Sequence, residues 1–408
     1  MTEGVPTNEE RMSMHEEIPS TPEGLHSYIV EELGDTELAR RVAERPDLTR
    51  EYVLGDGLPG LPFFKMTEEV GRINEKLGKS LLRVAVENER LLDTPIDRVV
   101  GNGFSDAEKE DYLFYKQFET TKNAASPYAH ERGRTPFENE AIHYADQKID
   151  ELRQSFGLEP FPIIPPQVHV FPTAELSHGE MGKTDIYKGE MRLAESEEGA
   201  GRLNLIIHES LHLKSYAAVQ VDQNDTGEIG VRSYRLGLSV NSRDVDKDEV
   251  YLNGLNEAVT EELANRMLFS IPDDHPVFGG VVRAHKERIA VMIKEHPDHF
   301  DELRRPTWIT SFRENQVEME KARHSYTKER QVMFKLFNAI YTANPERFSG
   351  KTKEEAEEEM FEMLAKGAFT GNILPFGRLF NETFGRGTFR EFGHLQTNKE
   401  QEEFLRKL

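Results

Sequence analysis

The chain has 408 residues, a formal net charge of −23, 37% hydrophobic and 31% charged residues, and no cysteine. That length predicts about two or three domains with ample chain for a buried core, and the acidic balance argues against nucleic acid and anionic membranes as partners, whose phosphates it would repel. Lack of cysteine excludes disulfides and thiolate metal sites. No apolar run approaches the roughly 18–20 residues of a membrane-spanning helix, and the acidic start lacks the basic and apolar regions of a signal peptide, so a cytoplasmic location is expected.

Residues 1–24 are polar, contain Pro6, Pro19 and Pro22, and are expected to form a disordered leader. Residues 25–132 form a predicted helical N-terminal region, with helices over about 24–45, 66–92 and 105–122. Gly78, Lys79 and Ser80 imitate a phosphate-binding loop, but the preceding glycine, Gly71, is too distant for that motif. At 135 the signals sharpen: Thr135 as N-cap, Pro136 at the first helical position and Glu138 completing a capping box open a helix that Gly157 stops. Ile142, Ala145, Ile149, Leu152 and Phe156 give it one apolar face. Prolines over 162–166 break the chain, and residues 167–171, 183–187 and 190–194 read as the strands of a small sheet.

The apolar run from Leu203 to Ile207 leads into His208, Glu209, Ser210, Leu211 and His212, an HExxH motif. On a helix, residues four apart share a face, so both imidazoles can reach one metal while Glu209 flanks the same space. Such a string arises by accident on the order of once in a hundred chains of this length, so a third ligand is required. A second helix over 255–267, with Leu255, Val259, Leu263 and Met267 as its apolar stripe, places Glu257 and Glu261 on one face. Alone, these carboxylates would be read as a solvated helix face. Between the motifs, residues 231–240 read as a strand, followed by a polar loop and a return near 250–252.

HExxH followed by Asn256, Glu257, Thr260 and Glu261 resembles the gluzincin, thermolysin-like zinc metallopeptidases over these two short motifs. The resemblance implies His208, His212 and Glu257 as Zn²⁺ ligands and Glu209 as the base that activates water. It further implies that Glu261 orients His208 and Asn256 supports His212. Two neutral histidines and one carboxylate would leave a positive metal with an open position for water. The resemblance also implies a sheet edge that binds an extended peptide, for which the strand around 191–194 is the candidate, and a Tyr or His donor for the developing oxyanion. His324 and Tyr326 are nominated for that role, with Tyr234 and Tyr251 in reserve. The interval between the motifs is longer than in thermolysin, and Gly189, Glu190 and Met191 only faintly echo the substrate-amine motif of the clan's aminopeptidases, which favours internal cleavage.

Downstream, residues 276–293, 308–343 and 351–365 read as helices. The charge run 354–359 should face solvent, with Ala356, Met360, Met363 and Leu364 inside. The glycine-dotted, phenylalanine-rich stretch 367–393 reads as a packed, irregular cover. His296 and His299 flank a proline turn and read as surface. The expectation is therefore an α+β, predominantly helical fold, with a small sheet followed by the HExxH helix and the glutamate helix. Residues 133–345 would form the zinc peptidase domain and 346–408 a C-terminal helical cover, acting on a peptide or protein substrate. Two rival readings are a catalytically silent helical interaction protein and a zinc hydrolase of a non-peptide amide or ester.

Overall fold

A computed structural model describes residues 96–101, four positions between 104 and 113, and residues 131–408 apart from gaps at 164–167, 173–180, 187–188, 224–228, 243–248, 296–307, 315–316 and 324–325. The chain divides into two compact units. The first comprises residues 1–94, 101–129 and 221–231, and the second comprises Pro95–Val100, His130–Gln220 and Arg232–Leu408. The leader and nearly all of the helices expected before residue 123 lie outside the described residues, as do Gly78, His296 and His299.

The second unit is α+β and predominantly helical. Helix α1 (Pro136–Ser155) begins at the expected capping box: Thr135 Oγ1 accepts from the Glu138 amide at 3.2 Å, and Glu138 Oε2 accepts from the Thr135 amide at 2.9 Å. Strands β2 (Val168–Phe171), β3 (Gly182–Asp185) and β4 (Glu190–Ala194) then form a three-stranded sheet in the order β2-β4-β3. Strand β4 pairs parallel with β2 and antiparallel with β3. It is therefore the central strand, so residues 191–194, the candidate for pairing with an extended peptide, are already paired on both sides. The hydrophobic positions of β4 are buried on both of its faces, as a central strand requires.

Helix α2 (Ala200–Lys214) follows, buried at every residue from Arg202 onward. A helix buried all round belongs at the centre of a domain, and α2 packs against α1 on one flank and the glutamate helix α3 (Asn253–Phe269) on another. A second sheet, ordered β1-β5-β6-β7-β8, connects them through β1 (Arg98–Val100), β5 (Ala217–Gln223), β6 (Ile229–Leu236), β7 (Ser239–Asn241) and β8 (Val250–Tyr251).

Buried charges tie this frame together. Arg202 Nη2 lies 2.5 Å from Glu138 Oε1, and Arg132 holds the same carboxylate at 2.7 Å. Burial opposes the charge of Glu138, yet the hydrogen bonds from Arg132 and the Thr135 amide lower its pKa to about 2. At the other end of α2, buried Lys214 reaches Asp146 at 2.6 Å and Asp150 at 2.7 Å, both on α1.

Helix α4 (Gly279–Glu295) starts later than residue 276, because His275 Nδ1 accepts from the Phe278 amide at 3.2 Å and closes a turn there. Residues 308–343 are not one helix. Strands β9 (Trp308–Glu314) and β10 (Val317–Arg323) form an antiparallel hairpin, and α5 (Thr327–Ala343) begins only after it. The sequence Trp308, Ile309, Thr310 and Phe312 favours extended chain. Stretch 367–393 is helical rather than irregular: α6 (Lys353–Thr370) ends within it, and α7 (Leu374–Phe384) and α8 (Thr388–Gly393) follow, with α9 (Asn398–Leu405) beyond. Phe376, Phe380 and Phe392 are buried there. Among the described residues no helix is long and apolar enough to cross a membrane.

Candidate metal centre

His208 and His212 leave α2 on one face, and Glu257 meets them from the first turns of α3. His208 Nε2 and His212 Nε2 are 3.1 Å apart, and Glu257 Oε2 lies 3.4 Å from the former and 3.3 Å from the latter. Tetrahedral coordination at ordinary Zn–N and Zn–O lengths separates neighbouring ligand atoms by about 3.3 Å. The donor triangle and its two-imidazole, one-carboxylate chemistry thus fit zinc.

The far side of His208 is equally committed. Its Nδ1 lies 3.0 Å from Glu261 Oε2, as the resemblance implies. Glu261 is fully buried and also accepts from Asn204 Nδ2 at 3.1 Å and Asn265 Nδ2 at 2.9 Å. Burial alone would lower the His208 pKa, but hydrogen bonds to Glu257 and Glu261 push it up to about 10. Burial likewise opposes the Glu257 charge, and the attraction of His212 together with hydrogen bonds from both histidines holds that carboxyl well below its ordinary value. These shifts favour a protonated His208 lying between the Glu257 and Glu261 carboxylates.

The expected support of His212 by Asn256 is not made. Asn256 Oδ1 accepts from the Leu238 amide at 2.8 Å, while His212 Nδ1 is buried without a hydrogen-bond partner among the described residues. The β6–β7 turn explains the diversion: Gly237 has φ +57°, and a Cβ there would lie 2.4 Å from Asn256 Oδ1, so only glycine lets that backbone come so close. Asn256 holds the turn against the start of α3 instead.

Glu209 faces β3. Thr184 Oγ1 donates to Glu209 Oε2 at 2.8 Å, and a Cβ on Gly182 would fall 2.5 Å from Glu209 Oε1. The carboxylate therefore rests on the strand itself. No described strand pairs with the other side of β3, so it is an edge strand among the described residues; the opposite edge, β2, carries an isolated bridge from Arg132 to Val170.

Tyr326 is brought to the site. Its ring stacks on His208 with centroids 5.2 Å apart and planes 6° from parallel. Burial and the charges of Glu257 and Glu209 push its phenol pKa up, which keeps the hydroxyl a donor. Tyr326 and Leu252 are the only described non-glycine residues with positive φ, and each immediately precedes a helix of the site. Such backbone strain concentrates where a side chain must be aimed. His324 lies outside the described residues. Tyr251 hydroxyl donates to Glu249 at 2.8 Å and its ring meets His394, and Tyr234 lies along β6.

Sequence reading missed Thr184, Gly182, Asn204 and Asn265. Asn204 did carry a signal: a lone amide inside the apolar run from Leu203 to Ile207 must find a partner when buried. Thr184 carried none, since a threonine in a strand is ordinary. Comparison with known proteins adds nothing to the geometry: no family model, curated protein or solved structure matches the chain.

Proposed function

We propose that this chain is a cytoplasmic zinc metallopeptidase of gluzincin type that cleaves peptide or protein substrates. The observation that carries the reading is the donor triangle of His208, His212 and Glu257, with Glu209 at its margin and Glu261 behind His208. Bound zinc would supply a Lewis acid that polarises water and the scissile carbonyl.

The protein residues divide the remaining work. Glu209 takes the proton of the attacking water and delivers it to the leaving amine. Thr184 holds Glu209 Oε2 by its hydroxyl, so the base keeps one orientation across both transfers. The Tyr326 phenol, kept protonated, donates to the negative charge that develops on the carbonyl oxygen. The edge of β3 offers backbone N–H and C=O groups to an extended peptide, which places the scissile bond alongside Glu209.

The decisive experiment compares wild type with Glu209→Gln for bound zinc and for chelator-sensitive cleavage of a peptide library. Both proteins should hold stoichiometric zinc, and the variant should lose cleavage by roughly 10²–10⁴-fold. Zinc without Glu209-dependent cleavage would overturn catalysis. Hydrolysis confined to non-peptide amides or esters would overturn the substrate class.

A further inference from the structure

We infer that Asn204 and Asn265 are positioning residues that set the metal affinity of the site, acting through Glu261 on His208. The inference rests on the zinc reading above. A carboxylate withdrawn from water needs donors for its oxygens, and Glu261 has them on both sides. Oε1 accepts from Asn204 Nδ2 at 3.1 Å and from Asn265 Nδ2 at 2.9 Å, while Oε2 meets His208 Nδ1 at 3.0 Å and Asn204 Nδ2 at 3.3 Å. Both amides are themselves buried, Asn204 at 1% exposure and Asn265 at 0%.

The placement of these amides is what gives the clamp its effect. Asn204 sits one turn before His208 on α2, and Asn265 one turn after Glu261 on α3, so the two helices that carry the metal ligands are joined through one carboxylate. Asn265 Nδ2 also donates to the Glu261 carbonyl at 2.9 Å, which fixes the amide to its own helix. Asn204 Oδ1 is buried without a partner among the described residues. Turning that amide over would face an oxygen to the carboxylate, so its donor is committed to Glu261.

The consequence falls on His208. With Oε2 held in place, its Nδ1 carries the hydrogen and its Nε2 presents the lone pair to the metal. Release of the clamp would let Glu261 turn, and both the ring and its tautomer would lose definition.

The test is zinc affinity of the full chain, measured by competition with a chromogenic chelator at one pH. Asn204→Leu, Asn265→Leu and their combination are each compared in the wild-type and Glu261→Gln backgrounds, with metal-free melting curves to report folding separately. Loss of such supporting groups typically weakens metal binding by roughly 10–100-fold, and that is expected for the double variant with Glu261 present. In the Glu261→Gln background the same substitutions should add almost nothing, because the residue they act through is gone. If the leucine variants do not fold, Asn204→Ser and Asn265→Ser, which keep the sites polar, carry the same expectation. Affinity within about twofold of wild type, or equal losses in both backgrounds, would overturn the inference and assign the amides to packing. A wild-type chain that binds no zinc is a different result, and would overturn the reading of the site itself.

Discussion

Two imidazole nitrogens held 3.1 Å apart repel each other if both present lone pairs, so one must carry a hydrogen or a positive charge must lie between or beside them. In the metal-free protein that charge is the proton on His208, whose pKa is raised from 6.5 to about 10. A raised folded-state pKa means stabilisation that is fully present below 6.5 and is lost as pH rises through about 10. Glu257, held low, contributes in the opposite sense: its stabilisation is present above 4.5 and lost as pH falls through its depressed value. Metal-free protein should therefore lose melting temperature as pH climbs from 6.5 toward 10, whereas zinc-loaded protein, in which metal has replaced the proton, should not. Parallel melts with and without chelator check this, and a flat metal-free profile across that window would count against the protonated His208. Tyr326→Phe removes the hydroxyl while keeping the ring stacked on His208. Loss of one oxyanion donor costs about 10²–10³ in kcat, so steady-state kinetics should show kcat falling by that order with zinc content unchanged. At this scale the candidate metal cluster of His208, His212 and Glu257 was legible because HExxH and the second carboxylate pair are spaced by helix geometry. The Thr184 contact was not, because it joins a strand and a helix that meet only in three dimensions.

Among the elements, α2 is positioned by charge at both ends as well as by its apolar surface. Arg202 is fully buried, bonded to Glu138 and to the Ala194 carbonyl of β4, and so joins α1, α2 and the three-stranded sheet. Arg202→Leu would leave Glu138, itself 1% exposed, with Arg132 as its one cationic partner among the described residues. Breaking a buried pair from one side costs about 3–5 kcal/mol. Urea denaturation should show a lower midpoint with an unchanged slope, and an unchanged midpoint would mean that the pair contributes nothing. Helix α1 was readable almost to the residue because its signals are local: a capping box, a proline at the start and a glycine at the end. The hairpin of β9 and β10 was read as helix because charged residues such as Arg313, Glu314, Glu318 and Glu320 suit either conformation. Pairing of the two consecutive strands, residue against residue from Glu314 and Val317 back to Trp308 and Arg323, decided it.

For the molecule as a whole, the charge of −23 acts at long range. It should favour capture of cationic peptides, by an effect that salt screens over about 8–10 Å at moderate ionic strength. With one cleavable core flanked by lysines or by glutamates, kcat/KM should favour the lysine peptide at low salt, and the ratio should fall toward unity as salt rises. A ratio independent of salt would place selectivity in local pockets instead. The amino-acid sequence by itself determined the helical and mixed character of the chain and brought forward His208, His212 and Glu257 as candidate ligands from spacing along two helices, while the pairing of Glu261 with His208 was implied by the gluzincin resemblance. Only the tertiary structure decided that β4 is central and β3 an edge, that Asn256 serves a turn and not His212, that Tyr326, nominated from the sequence, reaches His208, and that Asn204, Asn265 and Thr184 surround the site. Most of those contacts join segments far apart in the chain, and even Asn265, one turn from Glu261, has its role set by what is buried around it; burial and hydrogen-bond satisfaction are settled by neighbours in space, which a linear reading does not contain.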